Sequence, residues 1–189
     1  MRKTEYPIHP LIAERWSPRS MTGESLSDKE LFSLFEAARW APSSFNSQPW
    51  RFLYGKRETT DFSRLEELLV PFNKEWCKNA AVLGLTTARI NFEKTGKPSP
   101  SHALDTGAAW ENMCLQGTHL GLVVHGMSGF DYEKARQVLR IPATHEILAM
   151  FAIGKRAPKE NLSPELQKKE APSTERKPVS QFATSGIFS

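Results

Sequence analysis

Residues 27–52, SDKELFSLFEAARWAPSSFNSQPWRF, read in turn as a helix, a loop and the start of a strand. Ser27, followed three residues later by Glu30, forms a capping box that satisfies two otherwise free amides at a helix start. Leu31, Leu34, Phe35 and Ala38 recur at i, i+3, i+4 and i+7, a single buried stripe, so a helix is expected over 27–39. Pro42 keeps it from running on, and WRFLYG (50–55) reads as a strand closed by Gly55. Between Pro42 and Pro49 lie Ser43, Ser44, Asn46, Ser47 and Gln48, with Phe45 among them. A turn needs only about two or three such polar residues. This loop carries more hydrogen-bonding groups than a connection requires, as a surface shaped to hold a flat polar ligand would.

Working outward, apolar segments alternate with prolines and glycines. DFSRLEELLVPF (61–72) reads as a helix up to Pro71, and NAAVLGLTTAR (79–89) as a strand. KTGKPSPSH (94–102) is a loop. The helix expected over 103–121, ALDTGAAWENMCLQGTHLG, is apolar around most of its circumference, so it is buried on several sides, one of them between subunits. LVVHGMSGF (122–130) reads as a short strand entering a glycine-bearing turn. DYEKARQVLRIP (131–142) is a helix capped by Asp131, with Tyr132, Ala135 and Leu139 facing inward. EILAMFAIGKR (146–156) holds an apolar run that suits a central strand. Residues 157–189 show little periodicity and read as an extended C-terminal arm. The fold class is α+β, with about four strands in a single domain spanning 1–189.

Composition narrows the function. The 189 residues include 25 Lys and Arg against 21 Asp and Glu, a net charge of +4 spread along the chain. Nucleic-acid binding asks for a concentrated patch, so that reading is the weakest. No window is apolar enough for a membrane span or a signal peptide. The two cysteines, Cys77 and Cys114, fit a reducing cytoplasm. The histidines, His9, His102, His119, His125 and His145, form no HxxxH or HExxH pattern, and no metal site is expected. GxSxG, GxxxxGK[ST] and GxGxxG are absent as well.

Three polar clusters remain. RWSPRS (15–20) sets Arg15 and Arg19 on either side of Ser17, a fork-and-hydroxyl set suited to phosphate. The loop after Pro42 is the second. In the third, HGMSGF (125–130), Gly126, Met127, Ser128 and Gly129 would let a ligand approach the backbone. Arg176 and Lys177 offer a late cationic element.

In this order the pieces resemble the nitroreductase family of FMN-dependent flavoproteins. The resemblance runs through RWSPRS, LFSLFEAARWAPSSFNSQPWRF, NAAVLGLTTA, DTGAAWENMCLQGTHLGLVVHGMSGFD, VLRIPATHEILAMFAIGKRAP and RKPVSQF. It implies a mostly antiparallel sheet flanked by helices, with the C-terminal arm reaching a partner subunit. It also implies a homodimer with FMN at the subunit interface. By that resemblance Arg15, Ser17 and the backbone of Trp16 hold the phosphate end, and Arg19 sits near the pyrimidine edge, where it favours the reduced flavin. Pro42, Ser43, Ser44 and Asn46 come from the partner, and Phe45 contacts substrate. Gly126, Met127, Ser128 and Gly129 lie against the other side of the ring, and Arg176 meets the phosphate. The implied activity is ping-pong transfer of hydride from NAD(P)H through flavin N5 to a nitroaromatic, quinone or enone, with no acid–base residue required. A small-molecule substrate is thus the expected partner. The alternative is an FMN-binding carrier or sensor without reductase turnover. The short region between Phe72 and His102 implies a more open site than in longer relatives.

Overall fold

The first regular elements are a short helix, α1 (Pro10–Glu14), and α2 (Asp28–Arg39). The Ser27 hydroxyl accepts from the Glu30 amide, and the Glu30 carboxylate accepts from the Ser27 amide, so the capping box forms as read. Strand β1 (Trp50–Lys56) follows, then α3 (Thr60–Glu66), α4 (Pro71–Cys77), β2 (Val82–Arg89), α5 (His102–His119), β3 (Leu122–Met127), α6 (Tyr132–Val138), β4 (His145–Lys155) and α7 (Pro164–Gln167). The structure is a computed structural model, described for residues 2–187.

All three strand pairings are antiparallel, in the order β1-β2-β4-β3, with a register shift between Thr86 and Thr87. The apolar run places β4 in the interior, paired on both sides. Side chains alternate between faces along a strand, and the core divides accordingly. Leu83, Leu85, Val123, Met150 and Ala152 join Trp76, Leu65 and Leu166 on one face. Val82, Val124, Phe151 and Ile153 join Leu31, Leu34, Ala109 and Met113 on the other. The second face carries α2 and α5, which are linked by the Asn112 amide donating to the Ala37 carbonyl (3.1 Å) and Gln116 to Ser33 (2.9 Å).

Four expectations are corrected. The helix read up to Pro71 stops at Glu66, and a separate helix starts at Pro71, where the ring's fixed φ suits the first helical position. The polar stretch before α5 contains a hairpin, with Asn91 bridged to Pro98, and His102 already belongs to the helix. Tyr132 is 38% exposed, stacked on Phe130 rather than turned inward. The arm does not leave the fold at 157: Leu162 and Leu166 are buried in the core, and from residue 171 every described residue but Val179 is exposed.

Candidate functional site

The segment bearing Arg15, Trp16, Ser17 and Arg19 is tied down from four directions. The Pro18 carbonyl accepts from His125 Nδ1 (2.8 Å), which lies in β3. Glu170 accepts from the Arg19 amide (2.8 and 3.0 Å) and the Ser20 amide (2.9 Å). Ser20 Oγ donates to the Pro158 carbonyl (2.5 Å), and Met21 bridges to Arg156 beyond the end of β4. Arg2 Nη1 donates to the Arg15 carbonyl (2.6 Å). The loop is therefore rigid backbone presenting two guanidinium groups, with the Trp16 ring covered by Arg156 at 5.1 Å.

Arg15 Nε lies 3.5 Å from Glu111 of α5. Arg2 joins it, and Arg176 approaches as well. Partial burial, then the charges of Arg176 and Arg15, lower the Arg2 pKa from its ordinary value. The Val179 amide donates to Glu5 (3.0 Å), which ties the distal arm to the N-terminal segment. Arg2 was not singled out in the sequence; a lone basic residue at position 2 carries no local pattern. Its Nε, like that of Arg19, is buried without a hydrogen-bond partner among the described residues. Such groups are costly unless an acceptor meets them, so this donor set fits an anion such as a phosphate. Arg19 lies with its guanidinium 6.0 Å from the Phe72 ring.

Gly126, Met127 and Ser128 line a cavity of about 520 Å³ together with Thr106, Gly107 and Trp110 of α5. The size falls within the range of about 300–1,000 Å³ for small-molecule sites. Packing within the chain also bears on the glycines here. A Cβ at Gly126 would sit 2.8 Å from the Trp110 ring, and one at Gly129 would sit 2.6 Å from the Asn73 amide nitrogen. At Gly126, a lining residue, the Trp110 ring leaves no room for a side chain. His125 and Gly126 are adjacent, so one strand fixes both this turn and the arginine loop.

The loop after α2 lies elsewhere. Its anchor is Asp105, buried in α5, which accepts from the Ser44 amide (3.0 Å) and from Ser101 Oγ (3.1 Å). The Gln48 amide donates to Ser43 Oγ (3.0 Å). Phe45, Asn46 and Gln48 hold left-handed φ values of 52°, 53° and 48°, which costs of order 1–3 kcal/mol for such residues. Phe45 is 92% exposed, and Pro42 and Asn46 are also exposed. At about 100° per residue, Asp105 and Gly107 project roughly 160° apart around α5. The helix thus stands between Pro42, Ser43, Ser44, Phe45 and Asn46 on one side and Arg15, Ser17 and the 126–128 turn on the other. One chain does not bring the two halves of the expected site together.

The described residues contain no cluster of three or more His, Cys, Asp or Glu side chains that could hold a metal ion. None of their helices is long and apolar enough to cross a membrane. Cys77 and Cys114 are buried free thiols, and burial pushes the Cys114 pKa up to about 12.

Comparison with known proteins gives a class for this arrangement. The profile of the Nitroreductase family matches residues 12–155, and the chain belongs to that family. Protein DrgA of Synechocystis sp. is 32% identical, with 69% of this chain and 75% of that protein covered. A Rhodopseudomonas palustris protein named as an NADH dehydrogenase/NAD(P)H nitroreductase is 26% identical over 66% of this chain and 72% of its own length. A crystal structure described as an oxidoreductase containing FMN superposes with a TM-score of 0.93 at 38% identity, covering 100% of this chain and 96% of that one. A nitroreductase from Desulfovibrio desulfuricans in complex with FMN gives a TM-score of 0.72 at 25% identity, covering 98% and 100%.

Proposed function

We propose that the protein is an FMN-dependent oxidoreductase that uses NAD(P)H to reduce an electron-poor small molecule, a nitroaromatic, quinone or enone, by a ping-pong route. The observation that carries this reading is the convergence of Arg2, Arg15 and Arg176, on a loop that His125 and Glu170 hold rigid. When bound, FMN supplies the redox chemistry, accepting hydride from the reductant and returning it to the acceptor. The protein's part is to bind and orient. Arg15, Ser17, the Trp16 backbone and Arg176, with Arg2 added, offset the hydration that a phosphate dianion loses. Arg19 offers positive charge where the ring's pyrimidine edge gains electrons. Met127 and Ser128 border the cavity of about 520 Å³ and would meet the ring from the other side. Pro42, Ser43, Ser44, Asn46 and Phe45 act on the partner's site in a homodimer. The placement of these halves on opposite sides of α5 supports that assembly. So does the exposure of Leu104 (77%) and Ile12 (49%) on α5 and α1, an apolar face suited to a second copy. The exposed Phe182 (68%) and Ile187 (88%) suit an arm laid across the partner. The single domain and a cytoplasmic setting belong to the same proposal.

The test begins with the visible spectrum of the purified protein and the release of FMN on heating. Oxidised-flavin absorbance that bleaches with NADH or NADPH and returns with a nitroaromatic supports the enzyme. Bound flavin that stays yellow with both reductants points instead to a carrier or sensor. Arg15→Ala is expected to weaken FMN binding about tenfold or more, in line with loss of a charge-assisted contact. Arg19→Ala is expected to slow flavin reduction more than it weakens binding. Stopped-flow reduction and equilibrium binding separate the two, and identical behaviour of the variants contradicts the assigned roles.

A further inference from the structure

A second concavity, with a volume of about 1080 Å³, lies between the loop after α2 and the hairpin that precedes α5. The hairpin is held by the Phe92 amide donating to the Lys97 carbonyl (2.8 Å) and the Gly96 amide donating to Phe92 (2.8 Å). Phe45 and Phe92 both line it and touch edge to face, their centroids 5.7 Å apart. Arg51, Lys94 and Lys97 also line it. Arg51 is fixed by donating to the carbonyls of Gln48 (3.0 Å) and Trp50 (2.8 Å). The one lining carboxylate, Glu93, is paired with Arg89 at 3.2 Å. Lys94 and Lys97 make no ion pair among the described residues.

We propose that this cleft receives the phosphate-bearing adenosine arm of the dinucleotide reductant, with the contacting Phe45–Phe92 pair offering an aromatic wall to the flat base and Arg51, Lys94 and Lys97 facing the phosphates. The inference rests on the NAD(P)H reading above. The argument is one of size and charge. A single-ring acceptor would leave most of about 1080 Å³ empty, and one carboxylate would not call for three cations. A dinucleotide has the length, the second aromatic ring and the several negative charges that the cleft matches.

The test uses the flavin-loaded protein and 2′,5′-ADP as a redox-inert probe, titrated by calorimetry. Binding is expected, and Lys94→Ala/Lys97→Ala should weaken it roughly fivefold, the product of two exposed charge pairs. Both lysines are exposed, so the variant's melting temperature should stay unchanged. The KM for NADPH should rise by a similar factor, while that for 1-benzyl-1,4-dihydronicotinamide, which lacks phosphates, should not move. Failure of 2′,5′-ADP to bind, affinity indifferent to the substitutions, or an equal rise for the benzyl donor overturns the inference. An effect confined to 4-nitrobenzoate also overturns it and assigns the cations to the acceptor. Probe binding lost in the variant, in a protein whose flavin no donor reduces, upholds the cleft and rejects only the reductase reading.

Discussion

Asp105 shows at the residue scale how the strained loop is held. Its carboxylate is buried and meets an amide 61 residues earlier in the chain, so no local spacing in the sequence could reveal the pairing. The surplus polar groups of Ser43, Ser44, Asn46 and Gln48 were legible, but the side chain that fixes them was not. Asp105→Ala should cost about 1–3 kcal/mol in urea unfolding, the range for orphaning buried partners, and Asp105→Asn less, because an acceptor oxygen remains. His125 makes a pH-dependent contribution. Burial, with the Arg19 charge adding to it, holds its pKa below the ordinary 6.5 despite the bond to Pro18. In acid the unfolded chain therefore takes up a proton that the folded one resists. Stability is fully present above pH 6.5 and falls as the pH drops toward the folded value, by at most about 1.4 kcal/mol per unit. His102 runs the other way. Burial alone would lower its pKa, but Ser99 and Glu146 outweigh that and raise it. Its contribution is present below 6.5 and lost as the pH rises through the folded value. Urea midpoints across pH 5–8 should lose the acid slope in His125→Asn and the alkaline one in His102→Gln.

Elements were legible where a local signal and a tertiary contact agree. The capping box and apolar stripe mark α2, and the apolar run marks β4, because periodicity and burial coincide there. Helix α4 was missed because Pro71, read as a stop, is also a good first helical residue, and its buried Trp76 and Cys77 answer to a distant sheet face. The run from 157 to 170 looks like part of an arm in the sequence because Leu162 and Leu166 are too sparse to show a period. That run matters to the site through Glu170, which accepts from two amides of the arginine loop. Glu170→Ala should lower stability by about 1.5–3 kcal/mol, as for hydrogen bonds to a charged group. Differential scanning calorimetry checks the stability, and FMN affinity should fall with it although Glu170 is not among the groups assigned to the cofactor.

At the scale of the whole molecule, α5 divides the site. Arginines and the 126–128 turn lie on one side, and the Asp105-anchored loop on the other, so the account requires two chains to complete each cofactor site. The sequence held both halves but not their separation, which depends on how the α2–α5 pair packs on the sheet. The most direct measurement is the flavin content of a mixed dimer. One chain carries Arg15→Ala/Arg176→Ala, and the other carries Asn46→Trp, an exposed position in the loop. Each variant alone should retain little FMN. Coexpressed with separate tags and purified through both, the mixed dimer should recover one FMN per two chains, because one site then combines intact arginines with the partner's intact loop. A mixed dimer as empty as its parents would contradict the account, since every chain would then be carrying its own damaged site.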